Sequence, residues 1–137
     1  MQMNHKMVVH FQDGQIVKGN SHDFFPNKDV FHLNLLDRPA TEKPIEISVS
    51  QLKAIFFVKD FFGQKERQKR KGFSSGEKSP YGKKVVVQFK DKEHLYGFTQ
   101  GYSANRPGFF LFPAEQEGNN EKIYVVRSFV TKIEFVE

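Results

Sequence analysis

One apolar segment occurs twice in the chain and decides the fold: residues 6–13 read KMVVHFQD, and residues 84–91 read KVVVQFKD. When Lys6 is placed on Lys84, residues 6–58 align with residues 84–136 without a gap, and 14 of the 53 aligned positions are identical. Glycine and apolar residues are prominent among the identities, as in Gly19 with Gly97 and Phe31 with Phe109. Self-similarity of this kind indicates a tandem duplication of one structural unit.

Each copy has the pattern of five short β-strands. In the first strand Val9 and Phe11 alternate with polar residues, which is the period of a half-buried strand, and Asp13-Gly14 after it predicts a tight hairpin. The later strands are predicted at residues 15–21, 30–35, 45–49 and 54–58, because these segments are rich in β-branched and aromatic residues. Since no stretch keeps a helical period, the sequence predicts an all-β protein.

Five strands in about fifty residues favour a partly open small barrel of the SH3 or Sm type. A unit of this size has a marginal core, so we expect the two units to pack on each other or on a second chain. One continuous sandwich built from both copies is the alternative. The predicted organisation is a first barrel repeat at residues 1–58, a basic flexible linker at 59–83 and a second barrel repeat at 84–137.

The whole net charge of +5 lies in the predicted linker. Residues 6–58 carry six basic and six acidic side chains, residues 84–137 carry seven of each, and residues 59–83 carry eight and three. A dedicated nucleic-acid-binding protein normally spreads basic residues over one face of its fold. The linker therefore predicts either a solvated hinge or weak, salt-sensitive nucleic-acid binding. The residues that would contact phosphate are Lys65, Arg67, Lys69, Arg70 and Lys71.

The side chains that catalysis and metal binding need are sparse. The chain has no cysteine, which excludes disulfides, thiolate zinc sites and cysteine nucleophiles. His10, His22 and His32 could approach one another across adjacent strands, but outward-facing histidines without a metal are the favoured interpretation. The Gly-x-Ser-x-Gly pattern at residues 72–76 lies in the linker, without the strand and helix that a nucleophile elbow requires. We expect no enzyme activity, no cofactor and no metal.

The sequence shows neither a signal peptide nor a membrane helix, and this predicts where the protein is located. The first residues do not contain the apolar segment of a signal peptide, and no apolar run approaches the roughly 18 residues of a membrane helix. Together with the absence of cysteine, this favours a cytoplasmic protein without a membrane span.

Several of the 16 phenylalanines are expected on the outside of the strands. Phe31 and Leu33 are apolar in both copies and should point inward, so Phe110 and Phe112 in the second copy should point outward. Phe56 aligns with a glutamate and should also lie on an outer face. Exposed rings of this size need cover, which the other repeat, a partner protein or stacked nucleic-acid bases could supply. Phe56, Phe110 and Phe112 are therefore the candidate partner-binding residues, and the partner would be a second copy or another protein.

Residues 52–61, LKAIFFVKDF, resemble a signature of an uncharacterised bacterial family whose members often carry this unit beside, or in place of, a PilZ domain. Residues 31–33 and 45–49 are similar too, so the resemblance covers the first copy well and the second loosely. It implies a PilZ-like β-barrel but no assigned activity. PilZ domains bind cyclic di-GMP with an Arg-x-x-x-Arg motif before the barrel and an Asp/Asn-x-Ser-x-x-Gly motif within it.

The chain departs from both PilZ motifs. Lys71 stands where the second arginine of the first motif would follow Arg67, and lysine cannot reproduce the planar fork of arginine. Residues 101–106 keep only the serine, Ser103. Binding of cyclic di-GMP is therefore disfavoured. The strand order is also similar to that of Sm-like RNA-binding barrels, a likeness of fold that carries little information about function.

The sequence thus favours a non-catalytic binding or regulatory module that acts through protein–protein contacts. One alternative is RNA binding through the basic linker and the exposed aromatic rings. The other is a degenerate PilZ-type sensor of cyclic di-GMP.

Overall fold

Ten β-strands form in the part of the chain that the structure describes. The computed structural model describes residues 4–39, 42–61, 82–100, 102, 105–114 and 119–136. Within these ranges the strands are β1 His5–Phe11, β2 Ile16–Ser21, β3 Val30–Leu35, β4 Ile45–Ser48, β5 Leu52–Val58, β6 Lys83–Phe89, β7 His94–Thr99, β8 Gly108–Pro113, β9 Asn120–Val126 and β10 Val130–Val136. The prediction of an all-β protein is confirmed, and each of the four bounded strand predictions overlaps the matching strand from β2 to β5 along most of its length.

The connections between strands are short. A 3-10 helix at Val49–Gln51 joins β4 to β5, and another at Arg127–Phe129 joins β9 to β10. In the described part of the chain these single turns are the only helices, and neither is long or apolar enough to cross a membrane. Of the predicted linker, only residues 59–61, 82 and 83 lie within the described ranges.

All ten strands belong to one antiparallel sheet. Their order is β10-β6-β7-β8-β9-β5-β1-β2-β3-β4, and the sheet is not closed, so β10 and β4 form its two edges. The first half of the chain supplies β1 to β5 and the second half supplies β6 to β10. Each half occupies one side of the sheet with the same internal strand order, and β5 and β9 meet where the halves join.

The two halves also have the same register. Val9 lies opposite Val17 and Ile55, and the aligned residue Val87 lies opposite Leu95 and Ile133. Every residue pair that β1 makes with β2 and β5, and that β3 makes with β2 and β4, recurs in the second half at the aligned positions. The register irregularity between β1 and β5 recurs in the same way between β6 and β10.

Alternation along the strands produces two apolar clusters. Phe31 and Leu33 are buried while His32 between them is exposed, as the sequence predicts.

Gly19 and Gly97 lie where the second strand of each half approaches the third strand closely. A Cβ atom on Gly19 would collide with the carbonyl oxygen of Asn34, and one on Gly97 would collide with that of Phe112. Glycine is therefore required at these two positions by close packing.

The hairpin after the first strand differs between the halves in one residue. Gly14 has a φ of +94°, and the matching residue Lys92 has a φ of +74°. For a residue with a Cβ atom this left-handed conformation costs about 1–2 kcal/mol, whereas glycine adopts it freely. The hairpin predicted from Asp13-Gly14 is thus present, and the second hairpin forms without its glycine.

We expect Lys92→Gly to raise the free energy of unfolding by about 1 kcal/mol, because it removes the strain at this φ. Gly14→Lys should lower it by a similar amount, and urea unfolding followed by circular dichroism measures both. A Lys92→Gly variant no more stable than the natural chain would contradict the strain argument.

Candidate functional site

The junction between β5 and β9 holds the two halves together. Ala54 lies opposite Val125, Ile55 opposite Tyr124, and Phe56 opposite Ile123. Six of the seven residues of β5 are buried and the last four residues of β9 are all buried. Because successive side chains point to opposite faces of a strand, this burial means that both faces of the junction are covered.

Each apolar cluster is completed by residues of the other half. The first-half cluster contains Tyr124 and Val126 of β9, next to Ile55 and Phe57 of β5. The second-half cluster contains Ala54 of β5, and Phe56 packs against it. Among the described residues Tyr124 is the largest fully buried side chain, and burial raises the pKa of its hydroxyl although nearby Arg106 acts against this. The halves therefore share their cores across the junction.

Two of the three predicted partner-binding rings lie at this junction. Phe110 is half-buried, and its ring centre is 5.2 Å from that of Tyr124 and 6.1 Å from that of Phe57. Phe56 is half-buried and its ring centre is 4.5 Å from that of His10. Each ring also touches the other half, Phe110 through Phe57 and Phe56 through the second-half cluster, against which it packs. Both rings stay half-buried, and their role in binding a partner stays a prediction. Phe112 is half-buried on β8, opposite Phe98, and a partner role for it stays a prediction.

A cation lies over the rings at the edge of the junction. The Lys122 ammonium is 4.9 Å from the ring centre of Phe57 and 4.8 Å from that of Phe110. A cation over an aromatic face is attracted by the ring's negative face. This contact ties β9 to a ring from each half.

Lys53 is a buried charge that the sequence analysis missed. Its side chain is only 9% exposed, and its ammonium donates to the Asp91 carboxylate at 2.7 Å and also contacts Glu93. Burial alone would lower the pKa of Lys53, but the hydrogen bonds to the two carboxylates outweigh it and raise the pKa. Since Lys53 belongs to β5 and both carboxylates follow β6, this cluster is a polar clamp between the halves. The signal in the sequence was a lysine inside an otherwise apolar strand.

A groove of about 510 Å³ opens between equivalent loops of the two halves. Its lining includes three cations, Lys28, Arg106 and Arg127, against one carboxylate, Asp29. Three serine hydroxyls, from Ser48, Ser50 and Ser128, also line it. Neither Lys28 nor Arg106 forms an ion pair within the described ranges, and the Arg127 Nε donates to the Tyr102 hydroxyl at 3.3 Å. The excess of cations and hydroxyl donors suits an anionic ligand.

The remaining predicted site residues fall into two groups. The basic linker residues Lys65, Arg67, Lys69, Arg70 and Lys71 lie outside the described residues, as does Ser103 of the PilZ-like segment. Among the histidines, the His32 Nδ1 lies 2.7 Å from the Asp23 carboxylate. Burial opposes a lower pKa of Asp23, but the hydrogen bonds from His32 outweigh it and lower the pKa. In the described part of the chain, no group of three or more histidine or acidic side chains could hold a metal ion.

The two edges of the sheet differ in what they expose. β10 carries Phe135, 47% exposed, and Val136, 37% exposed. β4 has no large exposed apolar side chain, and its outermost residue is Glu46. An unpaired strand edge with exposed apolar side chains is a site where a further strand can add.

The family model that matches this chain is a family of unknown function, DUF6982, and the match covers residues 3–137. The chain therefore belongs to this family. No curated protein and no solved structure matches it.

The polar clamp at Lys53 gives a stability prediction. Removing both carboxylates with Asp91→Asn and Glu93→Gln should lower the free energy of unfolding at pH 7 by about 1–2 kcal/mol, because a buried ammonium loses its partners. Both carboxylates are nearly half exposed, so solvent screening reduces the effect. Lys53→Met should cost less, because it removes the buried charge and keeps the packing.

The same clamp fixes the direction of a pH effect. The Lys53 ammonium holds the pKa of Asp91 below its ordinary value of 3.8, although burial opposes this shift. The clamp is therefore fully formed above pH 3.8 and is lost as the pH falls through the lowered pKa. Denaturant unfolding from pH 7 to pH 2 should show the natural chain and the double variant converging in acid. A constant difference across that range would count against the clamp.

Proposed function

We propose that this member of DUF6982 is a non-catalytic binding module that acts through protein–protein contacts at the open edge of β10. The observation that carries the proposal is the combination of an unpaired strand edge with the exposed side chains of Phe135 and Val136. Backbone pairing at such an edge supplies affinity, and side chains at alternate positions supply specificity. The proposal places the module in the cytoplasm, as the cysteine-free sequence predicts.

The proposal includes a tandem duplication of one five-stranded unit of the small-barrel type. The common strand order, the register that recurs at the aligned positions and the matching 3-10 helices support it. On this view the junction of β5 with β9 joins the fifth strand of one unit to the fourth strand of the next. Two marginal cores then share residues and stabilise each other.

Phe135→Ser tests the binding function. The tagged variant should capture at least about five-fold less partner protein from cells that produce it than the tagged natural chain does. The reason is that truncation of an anchoring aromatic residue typically costs more than about 1 kcal/mol of binding free energy. The matched control is Phe25→Ser, since Phe25 is equally exposed at 48% but lies in the loop between β2 and β3. Circular dichroism checks that both variants fold. Equal losses in the two variants, or none in Phe135→Ser, would remove the support for β10.

A second candidate function is binding of single-stranded RNA, and the groove lined by Lys28, Arg106 and Arg127 favours it. The groove lies between the halves and gathers basic side chains that are otherwise dispersed in two electrically neutral repeats. Phosphate contacts of this kind give salt-dependent affinity with little sequence preference.

The RNA alternative predicts a change in salt dependence. In Arg106→Ala with Arg127→Ala, the slope of log K against log salt should become shallower by about 1.4, since each phosphate contact with a single strand contributes about 0.7. Lys90→Ala with Lys92→Ala removes the same charge from the hairpin after β6 and should leave the slope nearly unchanged. Fluorescence titration of a labelled oligonucleotide between about 50 mM and 200 mM salt covers the range in which such contacts respond. The absence of binding at the lower salt would end this alternative.

A further inference from the structure

The outward-facing backbone groups of β10 follow from the register. The Lys90 amide, just after β6, donates to the Phe129 carbonyl on the β10 side of β6. The Phe89 amide donates to the Glu93 carbonyl on the β7 side. Backbone groups alternate along a strand, so the even residues Val86 and Gln88 face β10. Their partners Glu134 and Lys132 face β6 in return. Ile133 and Phe135 therefore direct their N–H and C=O groups to the free edge.

The same alternation defines the edge of β4. The Val49 amide donates to the Asp29 carbonyl towards β3, so Glu46 and Ser48 direct their backbone groups away from the sheet. In the alignment of the two halves, the free edges thus correspond to the two strands that pair at the junction. β10 matches β5, and β4 matches β9.

The side chains of the free edges nevertheless differ from those of the junction. β4 has Glu46 and Ser48 where β9 has Tyr124 and Val126. If a second copy placed β4 on β10 in the junction register, Glu46 would lie opposite Ile133, as Tyr124 lies opposite Ile55. Tyr124 is 1% exposed there, and a carboxylate at that depth loses its hydration without gaining a cation. Pro44 would also stand where β9 has Lys122, without an N–H to donate.

The β10 edge has its own chemical pattern. Ile133 and Phe135 share the face that continues the second-half cluster, and Ile133 packs against that cluster. The Tyr102 ring centre is 5.7 Å from that of Phe135 on this face. Lys132 and Glu134 lie on the opposite face, at the positions where β5 carries the apolar Ala54 and Phe56. An incoming strand would thus meet an apolar face and a charged face.

We propose that the free edge of β10 binds an extended strand of another protein, which carries apolar side chains against Ile133 and Phe135 and, on its other face, an acidic residue opposite Lys132 and a basic residue opposite Glu134. This inference rests on the proposed binding function and names the partner that fits it. Continuity with the β5–β9 junction sets the antiparallel register, and the charges of β10 set the second face. Glu46 on β4 disfavours the addition of β4 from a second copy of this chain, and sedimentation tests whether β10 of a second copy pairs there instead.

The probe for this site is a synthetic peptide based on β9, the strand that occupies the matching edge of β5. It has the sequence of residues 119–126 with three substitutions. Lys122→Val places an apolar side chain opposite Phe135, while Ile123→Lys and Val125→Glu place lysine opposite Glu134 and glutamate opposite Lys132. Tyr124 of the peptide remains and meets Ile133 on the same apolar face. The control peptide has the two charges exchanged, Ile123→Glu with Val125→Lys, and is otherwise identical.

Fluorescence anisotropy with the full chain should give a dissociation constant for the probe at least about five-fold lower than for the exchanged control, since cross-strand like charges repel. Phe135→Pro in the full chain removes one outward N–H and no hydrogen bond to β6, and should weaken probe binding about five-fold or more. Phe135→Leu keeps both the N–H and an apolar side chain, so this variant should retain probe binding. Equal binding of the two peptides, or equal binding by the Pro and Leu variants, would overturn the proposal.

Sedimentation velocity of the natural chain tests whether a second copy of the chain, instead of another protein, occupies the β10 edge. The chain should sediment as a 16.0 kDa monomer. Self-association that disappears in Phe135→Pro would mean that a second copy occupies β10, through its β4 if Glu46→Pro also abolishes it and through its own β10 if Glu46→Pro does not. Either result would overturn the proposal. If cellular capture depends on Phe135 while the probe ignores Phe135→Pro, the proposed function stands and this mode of binding falls. If the probe behaves as described but capture ignores Phe135, the edge chemistry stands and the cellular function falls.

Discussion

The pairing of β5 with β9 is the constraint on which the rest of the structure depends. Each half has about fifty residues and too little interior to be stable with a margin. The pairing places Tyr124 and Val126 in the core of the first half and Ala54 in the core of the second, so both cores are larger than one half could make. A strand covered on both faces cannot alternate apolar with polar residues, which explains the nearly continuous apolar sequence of β5 and of the end of β9. The composition of these strands is thus a consequence of where they lie.

Polar contacts around the junction make this arrangement specific. A slip of one residue between β5 and β9 would exchange the two faces of β9, and Tyr124 would leave the first core. Lys53 lies in the same strand and reaches the hairpin after β6, where it contacts Asp91 and Glu93. That contact requires one arrangement of the halves, whereas apolar packing alone tolerates several. Lys122, over Phe57 and Phe110, restricts the opposite end of the junction in the same way.

Local patterns in the sequence were sufficient for the strands and their inward faces, but not for the site. Alternation identified Phe31 and Leu33 as core residues, and Asp13-Gly14 marked a hairpin, because these features depend on neighbouring residues only. The β5–β9 pairing joins residues that lie far apart in the chain, and no local period records it. Its trace was a difference between the two aligned segments: Phe56 aligns with the exposed Glu134, and its ring is half-buried beside the junction. The groove was missed for another reason, since neutral charge totals say nothing about how Lys28, Arg106 and Arg127 are arranged.

The edges of the sheet can be understood from the same comparison. Because the fifth strand of the first half pairs with the fourth strand of the second half, the fourth strand of the first half and the fifth strand of the second half lie unpaired at the ends of the sheet. Such a molecule can grow head to tail unless one end is made unsuitable, because this kind of interface does not close on itself. Pro44 directly precedes β4 and Glu46 lies within it, and a proline and a charged residue both oppose strand addition at an edge. β10 keeps Phe135 and Val136 exposed beside its free backbone. One edge is therefore protected and the other is not. The proposed binding of a partner strand would account for apolar side chains that stay exposed at the unprotected edge in spite of the risk of aggregation.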